Sequence, residues 1–232
     1  KRIPNLGGRI MDNITEENLI WTVLDAPRIQ PTDWDFFWSA WNQHAGASYI
    51  HKEDPSGNRD PYAEQTGKKT DFFKGLNIYA KHESLLTDGH WVVPFLDYKE
   101  IFPNVLDDLH AACPWAEIQF CRLWMSNMPI PFHRDHTIEP VAIRAMLYDE
   151  NPKTTFKLFK PSAGVSYVDL PKNSEETNMF AYNNATCLHG TDRVDGVNKI
   201  ILLTVHKCID KPLMLDHFAR SAEKYPERFK YA

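Results

Sequence analysis

The sequence has few cysteines, and their spacing excludes the two frameworks that cysteines usually build. The four of them, Cys113, Cys121, Cys187 and Cys208, form no CxxC pair. In a chain of 232 residues, scattered cysteines indicate reduced thiols and argue against a disulfide scaffold or a structural zinc site. We therefore expect an intracellular, cytoplasmic protein.

Long hydrophobic runs and a basic excess are missing as well. No stretch approaches the roughly 20 apolar residues that a membrane span needs, and the N-terminal residues lack a signal-peptide pattern. The net charge is −5, whereas proteins that bind the nucleic-acid backbone need a basic face. The sequence thus argues against membrane and nucleic-acid partners, and we expect a small-molecule or peptide substrate.

The residues that are present describe a globular domain with a large core. Hydrophobic residues make up 43% of the chain and charged residues 25%, which is ordinary for a globular protein. The length fits one domain with a helical flank better than two domains. We therefore treat residues 1–232 as a single domain.

The N-terminal part, residues 1–114, is predicted to be a mainly helical flank. A helix is expected over Lys99–Ala112, after an earlier one described below. Between them, residues 51–75 are rich in Gly, Pro, Asp and Lys. A loop of that length is a candidate lid over a binding site, and an ordinary surface loop is the alternative. The first helix is predicted from aromatic residues at helical spacing, namely Trp34, Phe37, Trp38 and Trp41.

After Pro114 the hydrophobic period changes to two, which is typical of strands. Short strands separated by Pro, Gly, Asn and Asp favour an all-β sandwich or barrel. We predict a mainly β fold with a jelly-roll core, also called a double-stranded β-helix or cupin-like fold, over residues 115–210. A C-terminal helix is expected within residues 211–232. The predicted strands are residues 118–125, 141–147, 154–159, 165–170, 177–182 and 199–206.

One short stretch, Pro-Phe-His-Arg-Asp-His at residues 131–136, has the pattern of a metal site. In extended backbone, His133 and Asp135 project from the same face. An imidazole and a carboxylate there can supply two metal ligands, and His189 is the candidate for the third. Two histidines and one carboxylate leave coordination positions open, which is the arrangement of non-haem Fe(II) oxygenases.

Three basic residues occur within or next to apolar strands. Lys199 opens the apolar run 200–203, where an unpaired charge is unfavourable unless an anion meets it. The alternative is a lysine that extends from the strand end to water. Arg122 and Arg144 interrupt apolar strands, and each either binds an anionic cosubstrate or substrate inside the barrel or pairs with an acid outside it.

The order of these motifs resembles the Fe(II)/2-oxoglutarate-dependent oxygenase superfamily over about residues 118–207. The segment from His189 to Lys199 is similar to the distal segment of prolyl-hydroxylase-type enzymes. The stretch 133–136, with Arg144 downstream, is similar to aspartyl/asparaginyl β-hydroxylases. The resemblance implies Fe(II) ligands at His133, Asp135 and His189, and a 2-oxoglutarate carboxylate bound by Lys199, with Arg144 or Arg122 assisting.

The activity that the resemblance implies is a dioxygenase reaction with O2 and 2-oxoglutarate. Such an enzyme hydroxylates an unactivated C–H of an amino acid, a peptidyl side chain or a small metabolite, and it releases succinate and CO2. The carboxylate at Asp135 favours hydroxylation over halogenation. Two departures concern the subfamily: Met146 stands where the aspartyl-hydroxylase branch has a histidine, and Ile201 stands where many relatives have Ser or Thr.

Two other classes of protein compete with this interpretation. The stretch 133–136 is close to the HxHxDH motif of binuclear zinc hydrolases, but Pro131 stands where that motif has its first histidine. A non-enzymatic cupin-like module, with structural histidines or an inert metal, is the other alternative, and it leaves Lys199 unexplained. Iron-dependent release of succinate distinguishes the oxygenase from both.

Overall fold

The structure is a computed structural model, and it describes most of the chain. The described residues are 14–46, 48–49, 73–86, 91–126, 130–135, 139–149, 155–171, 175–191 and 199–231. Most of the predicted lid, residues 51–75, lies outside these ranges. Within them, none of the helices is both long enough and apolar enough to cross a membrane. All four cysteines are free thiols.

Antiparallel strands make up the body of the fold. In chain order they are β1 (Leu19–Val23), β2 (Ser48–Tyr49), β3 (Phe73–Ala80), β4 (Trp91–Val92), β5 (Ala116–Ser126), β6 (Ile130–His133), β7 (Val141–Asp149), β8 (Thr155–Lys160), β9 (Gly164–Asp169), β10 (Met179–Asn183), β11 (Leu188–Thr191), β12 (Lys199–Cys208) and β13 (Phe229–Tyr231). The helices are α1 (Trp34–His44), α2 (Val105–Ala112) and α3 (Lys211–Lys224).

The strands form two main sheets with the connectivity of a jelly roll. The large sheet has the order β13-β1-β10-β7-β12-β5-β3, and the small sheet has the order β6-β11-β8-β9. From β5 to β12 the chain places four strands, β5, β7, β10 and β12, in the large sheet and the other four in the small sheet. Eight antiparallel strands shared between two facing sheets are a jelly roll. The predicted mainly β, double-stranded β-helix fold is confirmed.

The register of the large sheet aligns polar side chains across its centre. Leu203 of β12 is opposite Arg122 of β5 on one side and Arg144 of β7 on the other. Arg144 is in turn opposite Phe180 of β10, and Arg122 is opposite Asn77 of β3. Directly opposed residues of antiparallel strands lie on the same face. One row across five strands therefore carries two arginines on one face.

The two faces of the large sheet are buried against different partners. Helices α1, α2 and α3 cover one face, where Phe37, Leu109 and Phe218 pack in one cluster with Ile143 and Leu202. The other face meets the small sheet in a second buried cluster. That cluster includes Ala142, Met146, Phe156, Leu158, Val168, Phe180, Tyr182 and Ile201. The row that carries Arg122 and Arg144 lies on this inner face, between the two sheets.

The helices begin where capping chemistry allows. The Asp33 side chain accepts a hydrogen bond from the Phe36 amide at 2.9 Å, which caps α1. The Asp210 side chain likewise accepts from the Leu213 amide at 3.0 Å at the start of α3. The predicted C-terminal helix is therefore present.

The predicted helix over Lys99–Ala112 is wrong in its first half. The chain makes a 3₁₀ turn at Tyr98–Glu100, and α2 begins only at Val105. Pro103 lies between them. A proline lacks an amide hydrogen and disfavours the helical conformation of the residue before it, so the α-helix forms after it.

The N-terminal part contains more strand than the predicted mainly helical flank. Strands β1 and β3 add to the large sheet beside β10 and β5. All five residues of β1 are buried. A strand that is buried on both faces lacks the alternation that identifies strands in sequence. The boundaries at residues 114 and 210 stay predictions.

Candidate active site

The three predicted metal ligands lie together at the small sheet. His133 is the last residue of β6, Asp135 follows two residues later, and His189 in β11 is opposite His133. The His133 Nε2 atom is 3.5 Å from Asp135 Oδ1, and the His189 Nε2 atom is 3.4 Å from Asp135 Oδ2. One ligand atom from each residue lies within 4.8 Å of the other two. The structure thus brings together residues that are far apart in sequence.

The protonation states of this group suit metal binding. Burial lowers the pKa of His189 to about 3, so its imidazole is neutral at pH 7. Burial alone would raise the pKa of the Asp135 carboxyl, but the Arg144 charge and the two histidines outweigh it and hold this pKa well below 3.8. A neutral imidazole and an ionised carboxylate are the forms that bind a metal.

Two side chains from the large sheet contact the Asp135 carboxylate. Arg144 forms a charge pair with Oδ2 of Asp135. The Tyr182 hydroxyl donates a hydrogen bond to the same oxygen at 3.0 Å and lies 3.2 Å from His189 Nε2. Burial raises the pKa of Tyr182 well above 10, so the hydroxyl keeps its proton. These contacts orient Asp135 before any metal binds.

Arg144 faces the interior and not the outer surface. Only 5% of the residue is exposed. Its guanidinium donates to the carbonyl oxygens of Ile143 at 2.7 Å and Thr204 at 3.0 Å, and it lies 5.6 Å from the centroid of the Tyr182 ring. These bonds fix the guanidinium in the row between the sheets.

Arg122 occupies the corresponding position on the other side of Leu203. Its Nε donates to Asn77 Oδ1 at 2.7 Å, and the Asn77 amide nitrogen donates to the Val93 carbonyl oxygen at 3.2 Å. The Arg122 guanidinium also lies 5.2 Å from the ring centroid of Phe120 and 5.9 Å from that of Trp124. Arg122 is therefore held by an amide and two aromatic rings.

A cavity of about 200 Å³ lies between the two sheets at these residues. Five of the six predicted site residues line it. Its polar and charged lining consists of Arg122, His133, Asp135, Arg144, Tyr182, His189 and Thr191. Its apolar lining includes Trp124, Ile130, Phe156, Phe180, Ile201 and Leu203. The three candidate metal ligands and both arginines therefore line one cavity.

Lys199 lies at the first position of β12, opposite Asp149. It is 4% exposed, and it is not among the described residues that line the cavity. Burial lowers the pKa of Lys199 to about 8, against the opposing charge of Asp149. Its assignment to 2-oxoglutarate stays a prediction. His136, the last residue of the stretch 131–136, is outside the described residues.

Sequence reasoning missed Asn77 and Tyr182. Asn77 stands in a strand without a recognisable motif, and its role follows only from its register with Arg122. Tyr182 belongs to a fully buried strand, where an aromatic residue is indistinguishable from core by pattern. A hydroxyl on a buried aromatic ring needs a hydrogen-bond partner. That requirement is the one signal in the sequence that could have pointed to a polar contact of Tyr182.

The donor set fits a non-haem iron centre. It offers two imidazole nitrogens and one carboxylate from residues that all line the cavity, and this is the set of ligands that Fe(II) oxygenases use. Among the described residues, this is the only group of three or more His, Cys, Asp or Glu side chains that converge closely enough to hold a metal.

Comparison with known proteins gives similarity to solved structures. No protein-family model matches the sequence, and no curated protein matches it. A prolyl-4-hydroxylase from Pseudomonas putida is 10% identical over 87% of this chain and 100% of its own, with a TM-score of 0.43. An oxidoreductase of the 2OG-Fe(II) oxygenase family from Burkholderia pseudomallei is 9% identical over 78% of this chain and 95% of its own, with a TM-score of 0.40.

A third similar structure is a prolyl hydroxylase from Trichoplax adhaerens in complex with a hypoxia inducible factor oxygen degradation domain peptide fragment. It is 10% identical over 77% of this chain and 91% of its own, with a TM-score of 0.34. Similarity at this level does not assign an activity to this chain.

Proposed function

We propose that the protein is an Fe(II)- and 2-oxoglutarate-dependent dioxygenase that hydroxylates an unactivated C–H of an amino acid, a peptidyl side chain or a small metabolite. The observation that carries the proposal is the convergence of His133, Asp135 and His189 on a cavity between the sheets. Two arginines line the same cavity, and an anionic cosubstrate requires positive charge nearby.

In this proposal, His133, Asp135 and His189 hold Fe(II), which, when bound, supplies the O2 chemistry that converts 2-oxoglutarate to succinate and CO2. The chain contributes the geometry. Arg144 and Tyr182 bind one carboxylate oxygen of Asp135 and so limit the rotation of that ligand. Partners of this kind are worth about 10–100-fold in metal affinity or activity.

The cosubstrate is a dianion, and a desolvated dianion needs fixed cations. Arg122 and Arg144 line the cavity on either side of Leu203. Lys199 lies four residues before Leu203 on the same strand and faces the same way, because residues at even spacing share a face. The proposal assigns the distal carboxylate to Lys199 and keeps Arg122 and Arg144 as the alternatives.

The substrate carbon would be held against apolar walls. Trp124, Phe156 and Phe180 line the same cavity as the three candidate metal ligands. Closely packed rings exclude water from a reactive centre, which limits side reactions. The lining supports a substrate with an apolar reacting part.

Release of succinate tests the proposal directly. The purified protein is supplied with Fe(II), O2 and 2-oxoglutarate, and succinate is measured while amino acids and peptides are screened for stimulated turnover. We expect iron-dependent succinate release that His133→Ala and His189→Ala each abolish, because each removes a ligand. His44→Ala, at an exposed histidine of α1, should retain it.

Two outcomes would contradict the proposal. Iron-loaded wild-type protein that releases no succinate would favour a hydrolase or a binding module, since neither turns over 2-oxoglutarate. Full activity of His189→Ala at stoichiometric iron would remove this ligand set. Retained activity in His44→Ala excludes a general effect of histidine loss.

A further inference from the structure

The turn that follows β10 holds the main chain of a candidate metal ligand. Asn184 is 5% exposed, and both atoms of its side-chain amide bond to Asp135. The Asp135 amide donates to Asn184 Oδ1 at 2.9 Å, and Asn184 Nδ2 donates to the Asp135 carbonyl oxygen at 2.6 Å. The contact fixes the backbone of Asp135. Its carboxylate takes no part in these two bonds, and Asp135 lines the cavity.

The same turn binds the chain again, just before β7. The amides of Asn184 and Ala185 both donate to the carbonyl oxygen of Pro140, at 2.8 and 3.1 Å. The Thr186 amide donates to Asn183 Oδ1 at 2.8 Å and so shapes the turn itself. One turn thus holds the chain at Asp135 and again at Pro140.

This turn also leads into the strand that carries the buried candidate ligand His189. Strand β11 begins at Leu188, and His189 is its second residue. Asp135, in contrast, lies beyond the end of β6 at His133, so ladder hydrogen bonds do not fix its backbone. The Asn184 side chain supplies the two bonds that a strand would otherwise provide.

We propose that Asn184 is a positioning residue of the metal centre. It holds the Asp135 main chain at a set distance from β11, so that the Asp135 carboxylate meets the imidazoles of His133 and His189. A ligand group needs its position fixed within about 0.5 Å to bind well. The inference rests on the proposed function, because it requires a metal bound by these three residues.

Asn178 offers a matched control, because it makes the same kind of bond at the other end of β10. It is fully buried. The Ile29 amide donates to Asn178 Oδ1 at 2.9 Å, while Asn178 Nδ2 donates to the carbonyl oxygens of Ile29 at 2.7 Å and Met146 at 2.8 Å. Neither Ile29 nor Met146 is among the residues that line the cavity. An asparagine with a purely structural role should behave like Asn178.

The test is a calorimetric titration of the metal-free full chain with Co(II) alone, a divalent ion that takes the same imidazole and carboxylate ligands. We expect Asn184→Ala to raise the Co(II) dissociation constant at least about tenfold. Asn178→Ala should leave the Co(II) dissociation constant within about twofold of wild type. It should lower Tm by at least as much as Asn184→Ala does. Asn184→Asp, which has the same size and keeps the acceptor for the Asp135 amide, should show a smaller loss of affinity.

The outcomes separate the inference from the proposed function. If wild-type protein binds Co(II), His189→Ala does not, and both Asn184 variants bind like wild type, the positioning role is wrong and the metal centre stands. If wild type does not bind Co(II), or His189→Ala binds it equally well, both fail. Should Asn184→Ala not fold, the comparison of Asn184→Asp with Asn178→Asp decides. A Co(II) affinity lower in Asn184→Asp supports the role, and one that is equal or higher overturns it.

Discussion

The charge pair between Arg144 and Asp135 joins the two sheets. Arg144 stands on β7 inside the large sheet, and Asp135 follows β6, the edge strand of the small sheet. The guanidinium is nearly fully buried, and the carboxylate is 28% exposed. The pair therefore serves the orientation of a candidate ligand and also the packing of one sheet on the other.

Removing Arg144 should cost stability as well as metal binding. Arg144→Met removes the guanidinium that pairs with the Asp135 carboxylate and donates to the carbonyl oxygens of Ile143 and Thr204. We expect a loss of about 2 kcal/mol in the free energy of unfolding, less than the about 3–5 kcal/mol for a fully buried pair, because solvent reaches Asp135. Urea unfolding of the metal-free protein measures it.

The control is Arg220→Met, which removes an exposed ion pair with Asp216 on α3. Exposed pairs contribute about 0–1 kcal/mol, so this variant should unfold close to wild type. Equal midpoints and slopes for the Arg144 and Arg220 variants would show that the inter-sheet pair contributes nothing to stability.

Lys199 should control the affinity for 2-oxoglutarate. Loss of one partner from a buried charge pair costs about 3–5 kcal/mol, and each 1.4 kcal/mol is about tenfold. We expect Lys199→Met to raise the KM for 2-oxoglutarate by about a hundredfold or more, with Co(II) affinity unchanged. If Lys199→Met keeps its KM and Arg122→Met or Arg144→Met raises it at unchanged Co(II) affinity, the cosubstrate cation is that arginine.

The same lysine should make cosubstrate binding sensitive to pH. Burial lowers the pKa of Lys199 to about 8, so in the free protein the ammonium is present below about pH 8 and is lost above it. The KM for 2-oxoglutarate should therefore rise as the pH passes 8. Lys199→Arg should flatten this rise, because arginine stays charged. An identical pH profile in wild type and Lys199→Arg would exclude Lys199 as the titrating group.

The sequence predicted the jelly-roll core and the ligand group better than it predicted what supports them. Period-two patterning predicted β5, and the HxD spacing predicted that His133 and Asp135 lie together, because both signals are local. The contacts of Asn77 with Arg122 and of Asn184 with Asp135 join residues that are far apart in the chain. Only the register of the folded sheets brings such pairs together, so a single sequence does not reveal them.

His206 should make stability depend on pH. It is 2% exposed, and its ring packs edge-on against Trp115 at a centroid distance of 5.5 Å. Burial, and then the charge of Arg144, lower its pKa from 6.5 to about 4. The folded protein thus binds fewer protons at this site than the unfolded chain, so its stability is full above pH 6.5 and falls as the pH drops toward 4.

The measurement compares wild type with His206→Gln by urea unfolding between pH 7.5 and 4.5. Relative to the variant, wild type should lose up to about 1.4 kcal/mol per pH unit below pH 6.5. The comparison isolates His206 because other titrating groups are common to both proteins. Parallel curves for the two would mean that His206 takes up protons equally in the folded and unfolded states.

Gly75 should determine the position of a cavity wall. It is opposite Trp124 in the β3–β5 pair, and a Cβ atom at Gly75 would lie 2.7 Å from two atoms of the Trp124 ring and 3.1 Å from Val93 Cγ1. Gly75→Ala therefore forces the ring to move. Because Trp124 lines the cavity and lies beside Arg122, we expect Gly75→Ala to raise the KM for 2-oxoglutarate or for the substrate that stimulates 2-oxoglutarate turnover.

A ¹⁹F spectrum of protein labelled with fluorotryptophan detects the displacement directly, with the Trp124 resonance assigned by Trp124→Phe. The matched control is Gly46→Ala, because Gly46 forms a β-bridge with Gly75 and an added Cβ there meets only Pro94 Cγ at an ordinary 3.6 Å. Gly75→Ala should shift the Trp124 resonance, and Gly46→Ala should leave it in place. An unshifted resonance in Gly75→Ala would mean that the strand moves and the ring does not, in which case Gly75 has no part in shaping the cavity.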